Sequence, residues 1–262
     1  MTQQQTLLNS RRYRLYREHK YVYHVLDQIV ILSATLDFSD SSDLAKLKAE
    51  TNNLALLLKS HAEYEESRIH SLLQLTNPQL INEVNEQHYA QNHFFDDINK
   101  QIQIVAMSNS KSERHFVGYE IYLQFRNFFS ENLQHFDYEE KVLMPELHRR
   151  LTDDEIKEID RQSYRIMLPE QMIHMIEVLF PHMNREDRLT FLNDIKDCEP
   201  EKFSIAWNGI SSLIEASERS ELIEILDIKT TDRMPDNSMN LKYPWENISD
   251  ANCLMTSPAE QV

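Results

Sequence analysis

The chain has 262 residues, only two of them glycine (Gly118 and Gly209), and a formal net charge of −16 from 43 acidic and 27 basic side chains. Average usage is roughly 7% glycine, and hairpins, dinucleotide folds and phosphate loops consume it, so this scarcity predicts an all-α protein; neither GxGxxG nor GxxxxGKS/T occurs. The acidity excludes tight binding to DNA or RNA phosphates and is compatible with attracting cations.

No apolar run approaches the roughly 18 residues of a membrane span, so no membrane is expected as a partner. Met1 to Ser10 is polar and lacks the apolar centre of a signal peptide. Cys198 and Cys253 stand far apart, which rules out a disulfide framework and a CxxC thiolate site. The expected compartment is a reducing cytoplasm.

Apolar residues at helical spacing (Tyr16, Val22, Val25, Leu26, Ile29, Val30) predict a first helix over 11–36. A loop of caps and turn formers (DFSDSSD, 37–43) follows, then a second helix over 44–75 that Pro78 brings to an end. A third helix is expected over 81–107, a loop at SNSKS (108–112), and a fourth helix over 113–143, ending near Pro145. Four long helices with short connections read as an antiparallel up-down four-helix bundle over 12–150. Shorter, more charged helices are expected over 152–164, 169–180, 185–194, 200–216 and 219–226, forming a C-terminal helical extension (151–226). A polar tail follows over 227–262, with Pro235, Pro244 and Pro258.

The sequence repeats itself at its histidines. His61-Ala62-Glu63-Tyr64-Glu65-Glu66 matches His135-Phe136-Asp137-Tyr138-Glu139-Glu140 at an offset of 74. The pair His19 and His24 matches His88 and His93 at an offset of 69. Each half therefore carries a histidine on one helix and HxxxE on the next. Residues four apart share a helix face, so His61 points with Glu65 and His135 with Glu139. Two such helices facing inward, with one histidine from each remaining helix, provide four imidazoles and two carboxylates. That donor set suits two metal ions bridged by carboxylates, and its mixed N/O character points to iron rather than a closed zinc site.

Depth along the bundle agrees with this set. The midpoint of His19 and His61 is residue 40, inside DFSDSSD, and that of His88 and His135 is 111.5, inside SNSKS. Both pairs thus lie at a common level, about 30 Å from the turns at ~1.5 Å per residue. His19 leads to Val22, Leu26 and Ile29 on one face, whereas His24 leads to Asp27 and Gln28; the same comparison favours His88 over His93. The candidate ligands are therefore His19, His61, Glu65, His88, His135 and Glu139. His24, His70, His93, His115, His148, His174 and His182 read as structural or solvated. Glu63, Glu66, Asp137 and Glu140 read as the solvated side or an outer layer of the site, and Tyr64 and Tyr138 as packing residues or hydrogen-bonding neighbours.

At these residues the sequence resembles the hemerythrin-like (HHE cation-binding) family, over about residues 12–150. The stretch HFDYEEKVLMPEL (135–147) is similar to that family's second HxxxE box, with its EE pair and downstream Pro-x-Leu. The resemblance implies a four-helix bundle holding two iron ions as an oxo- or hydroxo-bridged centre, with Glu65 and Glu139 bridging. Oxygen-carrying members have a further histidine where this chain has Asn92, and an aspartate where it has Glu139; a π-bulge could bring His93 in as a replacement.

The function this implies is binding or sensing of O2, NO, or iron and redox state, with a protein partner engaged through the C-terminal helices. The alternatives are a di-iron oxidase or peroxidase, an iron-donating repair protein, and a helical interaction protein with a structural metal.

Overall fold

The computed structural model describes residues 12–211 and 214–228 and is all-helical, with no strand among the described residues. The chain divides into two compact units, Met1–Glu215 and Ala216–Val262. The polar tail expected over 227–262 lies outside the described residues from 229 onward.

A 3-10 turn, Tyr16–Glu18, leads into α1 (His19–Thr35), followed by α2 (Ser41–Glu65), a π turn (Glu66–His70) and the short α3 (Ser71–Leu73). After the break come α4 (Pro78–Met107) and α5 (Lys111–Tyr138), a second π turn (Glu139–Leu143) and α6 (Met144–Arg150). The remaining helices are α7 (Asp153–Ile166), α8 (Pro169–Leu179), α9 (Arg185–Cys198), α10 (Pro200–Ile210) and, in the second unit, α11 (Ala216–Ile225).

The buried positions of the four long helices recur at spacings of three and four, the pattern of one apolar stripe per helix. In α1 they include His19, Val22, Leu26 and Ile29, and in α2 Leu47, Thr51, Leu54, Leu58 and Glu65. In α4 they include Val84, His88, Phe95, Ile98 and Ile102, and in α5 Ile121, Phe125, Phe128, Asn132 and His135. α1 packs on α5 and α2, α2 on α4, and α4 on α5. Metal-ligating residue types thus sit within the stripes that otherwise hold Leu, Ile and Phe.

The loops are capped as their residues suggest. Asp40 accepts from the backbone of Ser42 and Asp43, and Ser110 from that of Glu113, satisfying the first N–H groups of α2 and α5. Gly118 is required by a close approach: a Cβ there would meet the buried Phe38 ring at 2.3–2.8 Å.

The fourth long helix does not stop near Pro145. Met144 N–H reaches back five residues to the Glu139 carbonyl, and the chain continues as α6 to Arg150 with Pro145 in its first turn, where a missing N–H costs least.

Helices α7–α10 belong to the first unit. Arg12 binds Asp153 and the carbonyls of His148 and Leu151, Arg17 pairs with Asp160 and Asp194, and Lys20 with Asp187. α7 starts on a capping box between Thr152 and Glu155. α8 packs against α1, and α10 against α8 and α9. No helix is long and apolar enough to cross a membrane among the described residues.

Candidate metal centre

The six expected ligands come from four helices and converge. His19 opens α1, His61 and Glu65 close α2, His88 lies in α4, His135 lies near the end of α5, and Glu139 begins the second π turn. They fall into two overlapping donor sets, His19–His61–Glu65–Glu139 and Glu65–His88–His135–Glu139, each with its donor atoms within 4.8 Å of one another. Glu65 and Glu139 are common to both sets and are fully buried.

The imidazoles meet tip to tip. His19 Nε2 lies 3.1 Å from His61 Nε2, and His88 Nε2 lies 3.2 Å from His135 Nε2. Three of the rings are held from behind. Nδ1 of His19 donates to Glu140 at 3.2 Å, that of His88 to Glu66 at 3.0 Å, and that of His135 to the Gln87 amide oxygen at 2.8 Å. His61 Nδ1 stands 3.8 Å from Glu18. An acceptor behind Nδ1 fixes its proton there and turns the Nε2 lone pair inward. Two lone pairs about 3 Å apart repel unless a cation or a proton lies between them. Donors bound about 2.1 Å from one metal at right angles would themselves stand about 3 Å apart.

The carboxylates span the two pairs. Glu65 places Oε1 3.2 Å from His61 and Oε2 3.3 Å from His88; Glu139 places Oε2 3.3 Å from His19 and 3.4 Å from His135. None of their four oxygens has a well-formed hydrogen bond among the described residues, although all are buried. Buried carboxylate oxygens without such partners are costly unless a cation compensates them. The residues present therefore fit one or two metal ions bound by mixed nitrogen and oxygen donors.

In the metal-free chain, burial and the neighbouring charges shift the members of the site in opposite directions. Burial opposes a charge on His19, but the hydrogen bond to Glu140 and the nearby Glu65 carboxylate outweigh it and raise the ring to about 9, whereas burial lowers His61 to about 4. The other pair splits the same way. His88 is raised against its burial by Glu65 and Glu66, and burial lowers His135 to about 3. Burial also opposes ionisation of Glu65, yet the imidazoles of His61, His19 and His88 hold it well below the usual range. Burial and the neighbouring charge of Glu65 push Glu139 well above it.

Beside the site lies an apolar core that includes Leu15, Ile69, Val84, Leu143 and Leu147. Ile69 and Leu143 are equivalents in the repeat, as are Leu15 and Val84. On the other side, the ring of Phe136 stacks on His19 at 4.1 Å. These residues keep water away and strengthen every charge interaction inside.

Of the residues given outer roles by the sequence, Glu66 and Glu140 do brace the rings, each from the helix opposite its histidine. Glu63 and Asp137 instead face solvent beside Lys59 and Lys141. Tyr138 donates to Glu83, away from the donors, and the Tyr64 hydroxyl is buried. His24 stacks on His182, and His148 bonds the Tyr13 carbonyl. His93 is exposed and sits edge-on to Tyr89. No π-bulge carries it inward, because α4 is continuous α-helix and the π turns follow α2 and α5 instead.

His70, read as structural or solvated, is buried beside the site and bonds the Asn85 amide oxygen through Nδ1 at 3.0 Å. It is 2% exposed and stands 4.0 Å from Glu139. The only signal for it was H-x3-E-x4-H, a spacing that turns away from the face on a regular helix.

A scan against protein-family models and searches of curated proteins and of solved structures gave no match to this chain.

Proposed function

We propose that residues 12–150 form a hemerythrin-like four-helix bundle of α1, α2, α4 and α5 that binds two iron ions, and that the protein binds or senses O2, NO or a similar small ligand through them. The observation that carries this reading is the pair of facing Nε2 contacts, His19–His61 and His88–His135, spanned by two buried carboxylates. His19 and His61 would hold one ion and His88 and His135 the other, with Glu65 and Glu139 available to both. Iron is favoured because mixed imidazole and carboxylate donors with positions left over suit it better than a closed tetrahedral zinc site. Bound iron supplies an exchangeable position for a small ligand and a change of redox state. The chain's own residues orient the rings, exclude water and hold the protons displaced on loading.

One observation favours a second reading, a di-iron oxidase of an apolar small molecule. A cavity of about 600 Å³ adjoins His61 between α1, α2 and α7–α9, lined by Leu57, Tyr64, Met175, Val178 and Phe191. Its size and apolar walls are those of a small-molecule site.

The test is elemental analysis after anaerobic ferrous loading, with absorption spectra through reduction and re-exposure to air. Two irons per chain and a near-ultraviolet band that bleaches and returns without continuing O2 uptake support binding or sensing. Continuing O2 uptake supports the oxidase. No iron after loading overturns both.

A further inference from the structure

We infer that the cavity between α1, α2 and α7–α9 is a binding site for a small apolar amine, its body against the aliphatic and aromatic walls and its ammonium on Glu18 and Tyr64. The site goes beyond the metal centre and does not depend on bound iron.

Size and walls set the body of the ligand. The cavity measures about 600 Å³, and its apolar walls include Val22, Leu57, Met175 and Phe191. Such a volume, with mostly apolar walls and a few polar groups, is that of a small-molecule site. The thioether of Met175, with those of Met167 and Met183 in the same lining, adapts to an irregular apolar shape.

Charge sets the head group. Histidines aside, the charged lining is acidic, with Glu18, Glu63, Asp160 and Asp187 against Arg17 alone. Arg17 is committed to Asp160 at 3.0 Å and Asp194 at 3.3 Å. Asp187 pairs with Lys20, and Glu63 stands 3.9 Å from Lys59. Glu18 is the exception. Its nearest basic nitrogen among the described residues is His61 Nδ1 at 3.8 Å, beyond hydrogen-bond reach. The Tyr64 hydroxyl, in the same lining, is buried without a hydrogen-bond partner among the described residues. An ammonium supplies what both lack, a positive charge for the carboxylate and N–H donors for carboxylate and phenol oxygen alike. A carboxylate head group would meet Glu18 with no uncommitted cation beside it, and an alcohol would leave the Glu18 charge uncompensated.

The repeat shows that this opening exists once. At the offset of 69 Glu18 corresponds to Gln87, and at the offset of 74 Tyr64 corresponds to Tyr138. The Gln87 amide oxygen accepts from His135 Nδ1 at 2.8 Å, and Tyr138 donates to Glu83 at 2.6 Å. The second half thus satisfies both positions from within the protein. The first half has a carboxylate in place of the amide, and both positions line the cavity that α7–α9 complete.

The experiment titrates the full-length chain, as purified, with octylammonium, octanoate and octanol by calorimetry. Glu18→Gln, Tyr64→Phe and Val178→Phe are titrated beside it, with circular dichroism as the folding check. One octylammonium per chain is expected, bound about tenfold or more tighter than octanol or octanoate. Glu18→Gln should lose about ten- to a hundredfold in affinity for the amine and all preference over octanol, and Tyr64→Phe about two- to tenfold. Val178→Phe narrows the cavity and should weaken amine and alcohol alike. No saturable octylammonium binding, equal binding of octanol or octanoate, or an unchanged affinity in Glu18→Gln overturns the inference. Glu18→Gln is nearly isosteric and carries the decision where Val178→Phe fails to fold. Iron uptake is measured separately, so a chain that takes up no iron and still binds the amine overturns the metal reading alone.

Discussion

His19 Nδ1 is bonded to Glu140 at 3.2 Å, and its counterpart His88 Nδ1 to Glu66 at 3.0 Å. Each histidine is thus braced by the residue that follows a glutamate shared by both donor sets, and the repeat makes the two braces equivalent. A brace fixes ring orientation and basicity without touching the metal. Glu66→Gln and Glu140→Gln are therefore expected to retain two irons at saturating metal and to lose ten- to a hundredfold in affinity, each at one position. Chelator competition reads this directly. Unchanged affinity in both variants would remove the bracing role.

The two shared glutamates, Glu65 and Glu139, are equivalent by position and unequal in the metal-free chain. The imidazoles around Glu65 hold it well below the usual carboxylate range, whereas burial and the charge of Glu65 push Glu139 well above it. Glutamine resembles a protonated glutamate, so Glu139→Gln is expected to cost the metal-free protein less thermal stability than Glu65→Gln. Glu65→Gln removes a charge that neighbouring rings depend on, at a cost of about 1–3 kcal/mol. That corresponds to roughly 2–4 °C of Tm per kcal/mol in a chain of this size. Both substitutions should abolish binding of two irons. Calorimetry of the metal-free proteins beside metal analysis separates these effects, and equal Tm losses would show that the carboxylates share one state.

Much of this site was legible because the donors occupy the seam. His19, His88 and His135 fall at the three-and-four spacing of Val22, Phe95 and Phe128, and hairpin midpoints pair His19 with His61 and His88 with His135. The place of His70 was hidden because periodicity assumes 3.6 residues per turn, and a π turn breaks that count. Continuation through Pro145 was hidden for the same reason, since the second π turn reroutes the Met144 N–H. The attachment of α7–α10 to the first unit runs partly through Arg12, Arg17 and Lys20, whose charges carry no periodic signal. The cavity beside His61 needed the placement of α8 on α1, which local sequence does not specify.

The metal-free protein is expected to lose stability as the pH rises from 6.5 to 9. His19 has a folded value of about 9 against an ordinary 6.5, so the native state binds the extra proton in that window. Its stabilising contribution is complete below pH 6.5 and is lost on passing through 9. His88 and Glu139, both raised, act in the same direction. His61 and His135, lowered to about 4 and 3, act oppositely, because the unfolded chain gains their protons as the pH falls below 6.5. Glu139 offsets part of that acid loss. Metal-free Tm should therefore peak near pH 6 to 6.5 and fall by several degrees at pH 9. His19→Gln should flatten the alkaline limb. A Tm constant from pH 6.5 to 9 in the wild type would contradict these shifts.

Loading should expel protons that the ligands carry. At pH 7 the metal-free site holds a proton on His19, and Glu139 and His88 are both raised from their ordinary values. Ligation requires neutral imidazoles and ionised carboxylates, so binding releases what they carry. At least one proton per chain is expected to appear when two ferrous ions enter at pH 7 in weakly buffered solution, read with an indicator dye under anaerobic conditions. At pH 9.5 His19 has already lost its proton, and the release should fall. Apparent affinity must follow the same linkage, so iron binding should tighten from pH 6 to pH 9 while the metal-free fold weakens over that interval. The iron-loaded protein should then gain most in Tm over the metal-free form on the alkaline side. A Tm gain that is independent of pH would mean that the protons reside elsewhere than on the ligands.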